Sequence, residues 1–313
     1  MPKATREAFG EALLALADKH PELVVLDADL SKSTMTQAFM KKYPRRHFEC
    51  GIAEQNMIGI GAGLALAGKT PVVTSFACFL IGRMETIRVS CAYNRTNVKL
   101  VGTHAGIGIG EDGTSQMGLE DVGAMRSLPH MIVLQPADAL ETQQAVAWML
   151  EHKGPVYLRL TRQKMPDVHA PGYEFKLAKA DVLWEPQPAP KHYQATIFAS
   201  GGTVPSALAA AKDLQPRGFA ARVVNAATLK PFDDDAVARF AADSDRLVAV
   251  EDHNVIGGLG TAVCEAAAQR ALSVPVVKIG VQDFGESASP EQLYEKYGLS
   301  AAHVIEACLR NLA

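Results

Sequence analysis

At 313 residues the sequence is longer than a typical single domain, so its length predicts two domains. With 48% hydrophobic residues, 21% charged residues and a net charge of −3, the composition is that of a globular protein and argues against binding to nucleic acid or a membrane. The five cysteines form no CxxC pair, and no apolar run reaches the roughly 20 residues of a membrane span. We therefore expect a cytoplasmic protein with reduced thiols and no zinc site.

The first half of the sequence alternates short strand-like runs with longer helical patterns. An amphipathic helix is predicted over residues 4–18, where apolar side chains recur at helical spacing. Short β-rich runs predict strands at 23–27, 71–76, 98–102, 131–134 and 156–160. Helical patterns lie between them, notably at 54–67 and 139–151. This alternation is typical of βαβ units and predicts a mostly parallel sheet with helices on both faces.

A break rich in proline follows the first half. Residues 163–191 carry five prolines and little periodicity, so we interpret them as a linker with at most a short edge strand. Strands are then predicted at 196–200, 221–225, 246–251 and 275–280. Helices are predicted from about Pro205, after Asp233, from about Leu259, and twice more before the C-terminus. The predicted fold class is α/β with two domains, each a mostly parallel sheet flanked by helices: residues 1–165 and 191–313, with a linker at 166–190.

Glu54 begins a helical pattern of mostly apolar or small residues within the stretch 50–68. The residues alone leave two functions open for this carboxylate. It can stabilise the helix N-terminus, by about 0.3–1 kcal/mol, or it can act as an acid–base group in an apolar pocket. Gly59, Gly61 and Gly63 lie within the helix, which favours close packing over a nucleotide-binding loop.

Two further stretches follow predicted strands, at the end of a parallel sheet where ligands bind. Phe76 and Phe79 are either core residues or a stacking surface for a planar ring. The loop 103–121 is rich in glycine, whose ordering costs about 0.5–1 kcal/mol per residue relative to alanine. Because this loop also carries His104 and Asp112, we expect a functional site on it. It lacks the Lys-Ser/Thr of a phosphate-binding P-loop.

Six motifs, taken in order over the whole chain, resemble transketolase. They are ATREAFG (4–10), ECGIAEQNM (49–57), TSFACF (74–79), THAGIGIGEDGTSQMGLED (103–121), LTRQKMP (160–166) and VEDHNVIGGLG (250–260). The resemblance implies a thiamine diphosphate pyrimidine-binding fold followed by a transketolase C-terminal-like domain. The diphosphate-binding signature of the family, a GDG with a following asparagine pair, is missing from this sequence. The resemblance therefore implies an N-terminal transketolase subunit as partner, in an α2β2 assembly, which holds most of the Mg2+ or Ca2+ ligands.

The resemblance also implies roles for individual residues. Glu54 corresponds to the glutamate that exchanges a proton with the aminopyrimidine of thiamine diphosphate, and Phe76 and Phe79 correspond to the aromatic wall beside that ring. Residues implied to bind the substrate are His104, with a catalytic role, Asp112, Gln116, Arg162, Arg6 and Ser33. A guanidinium suits the phosphate of a sugar because it offers paired donors.

Two positions depart from the family pattern. Gln116 stands where many transketolases have a second histidine, and Gly82 stands in the slot of an arginine, with Arg83 directly after it. Both departures bear on substrate range more than on use of the cofactor.

The implied activity is transfer of a two-carbon ketol unit from a ketose phosphate to an aldose or aldose phosphate. Alternatives are a deoxyxylulose-phosphate synthase, a β subunit of a 2-oxoacid dehydrogenase and a non-catalytic assembly subunit. The stretch GEDGTSQMGLED (110–121) favours transketolase over the first two, and the presence of Glu54 and the aromatic pair argues against the third. A nicotinamide-binding protein is the weakest alternative, because no GxGxxG fingerprint follows a predicted strand.

Overall fold

The chain folds around two mostly parallel sheets, and the computed structural model describes residues 2–310. The strands are β1 (Lys3–Ala4), β2 (Leu23–Asp27), β3 (His47–Glu49), β4 (Thr70–Phe76), β5 (Lys99–Thr103), β6 (Ile132–Leu134), β7 (Val156–Arg159), β8 (Lys164–Met165), β9 (Asp181–Trp184), β10 (Ala195–Ala199), β11 (Ala221–Asn225), β12 (Thr228–Lys230), β13 (Leu247–Asn254) and β14 (Val276–Val281).

Helices connect most of these strands. They are α1 (Thr5–Leu16), α2 (Gln37–Lys42), α3 (Glu54–Leu66), α4 (Ala77–Ile81), α5 (Met84–Thr86), α6 (Asp121–Ser127), α7 (Ala139–Glu151), α8 (Val204–Leu214), α9 (Asp234–Ala241), α10 (Leu259–Gln269), α11 (Pro290–Lys296) and α12 (Ala301–Leu309). A π-helix at Ile87–Tyr93 continues from α5. No helix within residues 2–310 combines the length and the apolar character that a membrane crossing requires.

Six parallel strands and one antiparallel edge strand form the larger sheet, in the order β12-β6-β7-β5-β4-β2-β3. Successive side chains of a strand point to opposite faces, so neighbouring valines of β4 enter different cores. Val72 packs with α1 and α7 on one face, whereas Val73 packs with α3 on the other. The strands β4 and β5 end side by side, with Phe76 paired to Thr103. This register places the aromatic pair next to the glycine-rich loop.

The smaller sheet has the order β14-β13-β10-β11-β9 and is parallel except for β9. Its core is continuous with that of the larger sheet, since one apolar cluster contains Val73 and Leu100 as well as Phe198 and Val224. Helices lie against both sheets, and the predicted α/β fold class is confirmed. All nine predicted strands are present, with no end displaced by more than three residues.

Two features differ from the sequence-based expectation. Residues 163–191 contain two short strands rather than at most one, because β8 pairs with β1 and β9 pairs with β11. The strand β12 lies beyond the predicted division of the chain but pairs with β6 in the larger sheet. The strands β9 and β12 are edge strands of the two larger sheets, whereas β8 forms a separate two-stranded sheet with β1. In each case the partner is a strand distant in sequence, whose backbone groups are open to pairing. Such pairing leaves little trace in the local sequence.

Candidate active site

Three aromatic rings stack in a row where β4 and β5 end. The strand β4 finishes at Phe76 and α4 begins at the next residue, so Phe79 lies in the first helical turn above it. The rings of Phe76 and Phe79 are 5.4 Å apart between centroids and 8° from parallel. The imidazole of His104, directly after β5, also stacks on Phe76, with 3.8 Å between the ring centroids. The aromatic pair is thus part of a surface near the loop and not only core.

Hydrogen bonds determine which ring nitrogen of His104 carries the proton. Its Nε2 lies 3.1 Å from Nη1 of Arg6, and its Nδ1 lies 2.9 Å from Oγ1 of Thr103. A guanidinium can only donate, so Nε2 is the acceptor and Nδ1 carries the proton. Burial, followed by the charges of Arg6 and Arg162, lowers the pKa of His104 to about 3. The imidazole is therefore neutral at physiological pH.

Two arginines face the same cavity as His104. Arg6 comes from the start of α1 and donates from Nη1 to the carbonyl oxygen of Ser33 at 2.8 Å. Arg162 donates from Nη1 to the carbonyl oxygen of Ile109 at 2.6 Å and to Glu111 at 3.1 Å. Burial, and next the charge of Arg162, lower the pKa of Arg6. Two guanidiniums that line one cavity form a natural site for an anion.

The cavity itself has a volume of about 690 Å3. Its lining residues are Arg6, Lys32, Ser33, Met35, Gln37, Ala38, Phe76, His104, Asp112 and Arg162. Oδ1 of Asp112 is 3.8 Å from Nη2 of Arg162, so this carboxylate adds acceptors next to the arginines. The cavity therefore offers cationic donors for an acidic group together with acceptors for hydroxyls.

Glu54 lies at the first position of α3 and is 5% exposed. It lines a second, open cavity of about 740 Å3 together with Ile52, Asn56, Gly59 and Arg83. Within residues 2–310, no hydrogen bond or ion pair engages its carboxylate. Arg83, which directly follows Gly82 in the slot of the family arginine, thus shares a cavity with Glu54.

Six of the predicted site residues line one cavity: Arg6, Ser33, Phe76, His104, Asp112 and Arg162. Phe79 joins them through its stacking on Phe76. Glu54 lines the other cavity, and Gln116 lines neither of these two. Gln116 is half-buried in a 3-10 turn, and its Nε2 is 3.5 Å from Oγ of the adjacent Ser115.

Asp27 is a residue that sequence reasoning did not assign to the site. It is fully buried at the end of β2, where Oδ1 accepts the backbone N–H of Leu30 at 2.7 Å. Oδ2 accepts the hydroxyls of Thr34, Thr36 and Thr74 at 2.7–2.8 Å. These bonds shape the loop that brings Ser33 to the cavity. The sequence signal was a carboxylate at the C-terminal end of a buried strand.

Two family models match the chain. The transketolase pyrimidine-binding domain matches residues 1–168, and the transketolase C-terminal domain matches residues 189–304. This chain belongs to the transketolase family.

Three relatives show which part of a transketolase the chain resembles. A putative transketolase C-terminal section of Methanocaldococcus jannaschii is 41% identical over 99% of this chain and 96% of its own length. A 6-deoxy-6-sulfo-D-fructose transketolase subunit of a Clostridium species is 39% identical over 96% of this chain and 92% of its own length. Transketolase-like protein 2 of Mus musculus is 38% identical over 97% of this chain, which spans only 48% of that relative. The match is thus to the C-terminal section of a transketolase.

A solved structure matches the fold of this chain over nearly its whole length. It is described as a split-gene transketolase, an inactive beta4 tetramer, and is 44% identical in sequence with a TM-score of 0.87. The alignment covers 99% of this chain and 98% of that chain. Thiamine diphosphate is the cofactor that membership of the transketolase family implies.

Proposed function

We propose that the chain is the C-terminal subunit of a two-chain transketolase, which moves a two-carbon ketol unit from a ketose phosphate to an aldose or aldose phosphate. The observation that carries this proposal is the cavity shared by His104, Arg6, Arg162 and Asp112. Its two guanidiniums suit the acidic end of a sugar phosphate. Its neutral imidazole and its carboxylate suit the hydroxyls.

When bound, thiamine diphosphate supplies the reactive carbon of ketol transfer. Glu54 fits the aminopyrimidine, because both of its carboxylate oxygens are without a partner within residues 2–310 and the side chain is largely withdrawn from water. The carboxylate is thus placed to exchange a proton with a ring nitrogen, the role that the family resemblance implies. Phe79, which is parallel to Phe76 and only partly buried, offers a ring that can stack on a planar heterocycle, with Phe76 packed behind it.

His104 and the arginines orient the donor sugar. The Nε2 lone pair of His104 accepts a hydrogen bond from Arg6, and a ketose hydroxyl can take the place of that donor. Displacement would leave Arg6 free to pair with the phosphate next to Arg162. The name of the Clostridium relative contains a sulfo sugar, whose sulfonate is a tetrahedral oxyanion like phosphate. We therefore regard either anion as compatible with Arg6 and Arg162. Asp112 accepts from a further hydroxyl.

We infer that an N-terminal transketolase subunit completes the cofactor site and holds Mg2+ or Ca2+ at the diphosphate, in an α2β2 assembly. The names of the relatives, a C-terminal section and a subunit, support this partner. Exposed apolar side chains support it as well: Ile52, which lines the Glu54 cavity, is 82% exposed, and Leu66 and Tyr93 are 76% and 80% exposed. Covering such side chains removes apolar area from water, which favours association. The five free thiols agree with a cytoplasmic location.

The test compares the purified chain with the chain mixed with its N-terminal counterpart. We expect ketol transfer from a ketose phosphate only in the mixture, and binding of thiamine diphosphate that depends on both chains. Activity of the single chain would overturn the need for a partner. A mixed complex that binds the cofactor but transfers no ketol unit would overturn the proposed reaction.

A further inference from the structure

The glycine-rich loop that carries His104 and Asp112 packs into the second domain. Ile107 and Ile109 are fully buried, and they belong to an apolar cluster with Val250 and Leu293. The conformation of the loop therefore depends on residues more than 100 positions away, on β13 and α11.

One carboxylate of the second domain binds the loop backbone directly. Asp252, on β13, is 1% exposed. Its Oδ1 accepts the backbone N–H of Ile107 at 2.7 Å, and its Oδ2 accepts the backbone N–H of Gly108 at 3.1 Å. Two successive N–H groups aimed at one anion form a concave anion-binding turn. Gly106 has φ +81°, and a Cβ there would overlap the Asp252 carboxylate, so only glycine permits this approach.

The same carboxylate is linked to the strand end that carries Arg162. Tyr294 donates its hydroxyl to Oδ2 of Asp252 at 2.9 Å and accepts from Nε2 of Gln163 at 2.8 Å. Arg162, the residue before Gln163, donates to the carbonyl oxygen of Ile109 within the loop. We call the cavity lined by Arg6, His104, Asp112 and Arg162 the sugar cavity. Asp252 is thus linked both to the glycine-rich loop and to the segment of Arg162, but does not itself line this cavity.

We propose that Asp252 is a positioning residue for the sugar site: by binding the N–H groups of Ile107 and Gly108, it holds the loop in the conformation that presents His104 and Asp112. The inference rests on the proposed function, and it assigns to the second domain a part in donor binding. In Asp252→Asn the amide keeps only one acceptor oxygen, so one of the two buried N–H groups loses its partner and faces an NH2 group, and the loop relaxes. A displacement of about 1 Å in such a site can lower the rate on the order of 100-fold.

The chain offers a matched control on the same strand. Glu251 precedes Asp252, is 2% exposed, and also accepts two backbone N–H groups, those of Leu259 at 2.6 Å and Gly260 at 2.9 Å. Both belong to α10 of its own domain. Glu251→Gln therefore perturbs a buried carboxylate much as Asp252→Asn does, but the two hydrogen bonds of Glu251 go to α10 and not to the glycine-rich loop.

The experiment measures both variants in the complex with the N-terminal subunit. We expect Asp252→Asn to raise KM for the ketose phosphate at least tenfold and to change the affinity for thiamine diphosphate less than twofold. Glu251→Gln should leave both constants within twofold of wild type, even if it lowers the melting temperature as much. Equal KM values for the two variants would overturn the inference. An inactive wild-type complex would instead overturn the proposed function.

Two further measurements cover a variant that folds poorly. Tyr294→Phe removes one donor to Asp252 and keeps the ring, whereas Tyr297→Phe removes a hydroxyl that donates to the Phe284 carbonyl oxygen. Only the first should raise KM for the donor, by about threefold. Hydrogen exchange of the full chain needs no activity, and in Tyr294→Phe the amides of residues 106–110 should exchange faster than in Tyr297→Phe. Unchanged exchange together with unchanged KM would overturn the inference.

Discussion

Replacing Arg162 by alanine removes one of the two guanidiniums from the sugar cavity. Its side chain is 33% exposed and is also paired with Glu111, itself 64% exposed. A hydrogen bond to a charged group is worth about 1.5–3 kcal/mol. Because water and Glu111 already compensate part of the charge, we expect the lower end of this range. That corresponds to a loss in kcat/KM of about 10-fold with a phosphorylated donor.

The assay separates binding of the anion from a structural effect. Steady-state kinetics of the complex with the N-terminal subunit are compared on a ketose phosphate and on hydroxypyruvate with glycolaldehyde, which carry no phosphate. The loss should fall on the phosphorylated donor and largely vanish with the short pair. Arg162→Lys, which keeps the charge but not the paired donors, should show an intermediate loss.

Arg126 supplies the structural control. Its guanidinium also donates to backbone carbonyls, those of Leu229 and Gly258, but it does not line the sugar cavity. Arg126→Ala should therefore lower activity equally on both substrate pairs, if at all. The same equal loss in Arg162→Ala would refute the anion-binding role, and would leave Arg162 as a support for the Ile109 carbonyl.

Three further predictions concern titratable residues. Glu54→Gln should lower kcat by roughly 10²–10⁴-fold with an unchanged circular dichroism spectrum, and more than a tenth of wild-type activity would contradict an acid–base role. Since the pKa of His104 is lowered to about 3, pH–rate profiles of wild type and His104→Asn should be parallel between pH 5 and 8; a limb present only in wild type would refute this assignment. The buried imidazole of His169 forms ion pairs with Asp138 at 3.0 Å and Asp181 at 3.4 Å. Although burial lowers the pKa of His169, these carboxylates raise it from 6.5 to about 10. Its stabilising effect is complete below pH 6.5 and is lost as pH rises through 10. Urea unfolding of His169→Gln should therefore show a deficit of about 3 kcal/mol at pH 6.5 that shrinks by pH 10; a constant deficit would contradict the ion-pair explanation.

Local periodicity was sufficient to predict most of the elements. The helix α7 spans the predicted residues 139–151, and β11 spans the predicted residues 221–225, because apolar spacing and flanking polar residues are properties of the segment itself. The same local signals placed Glu54 at a helix start and His104 directly after a strand, where the structure has them. Their proposed roles came from the resemblance of whole motifs to transketolase.

Contacts between distant residues were decided only by the tertiary structure. Arg6 and His104 are 98 positions apart, and Asp252 and Ile107 are 145 apart. No local pattern records that these pairs meet, because strand order and register bring them together. The distribution of Glu54 and His104 over two cavities, and the neutral state of His104, follow from the same packing. The sequence specifies the type of each side chain, whereas its burial and the charges around it are set only when the sheets assemble, and these two factors determine its pKa.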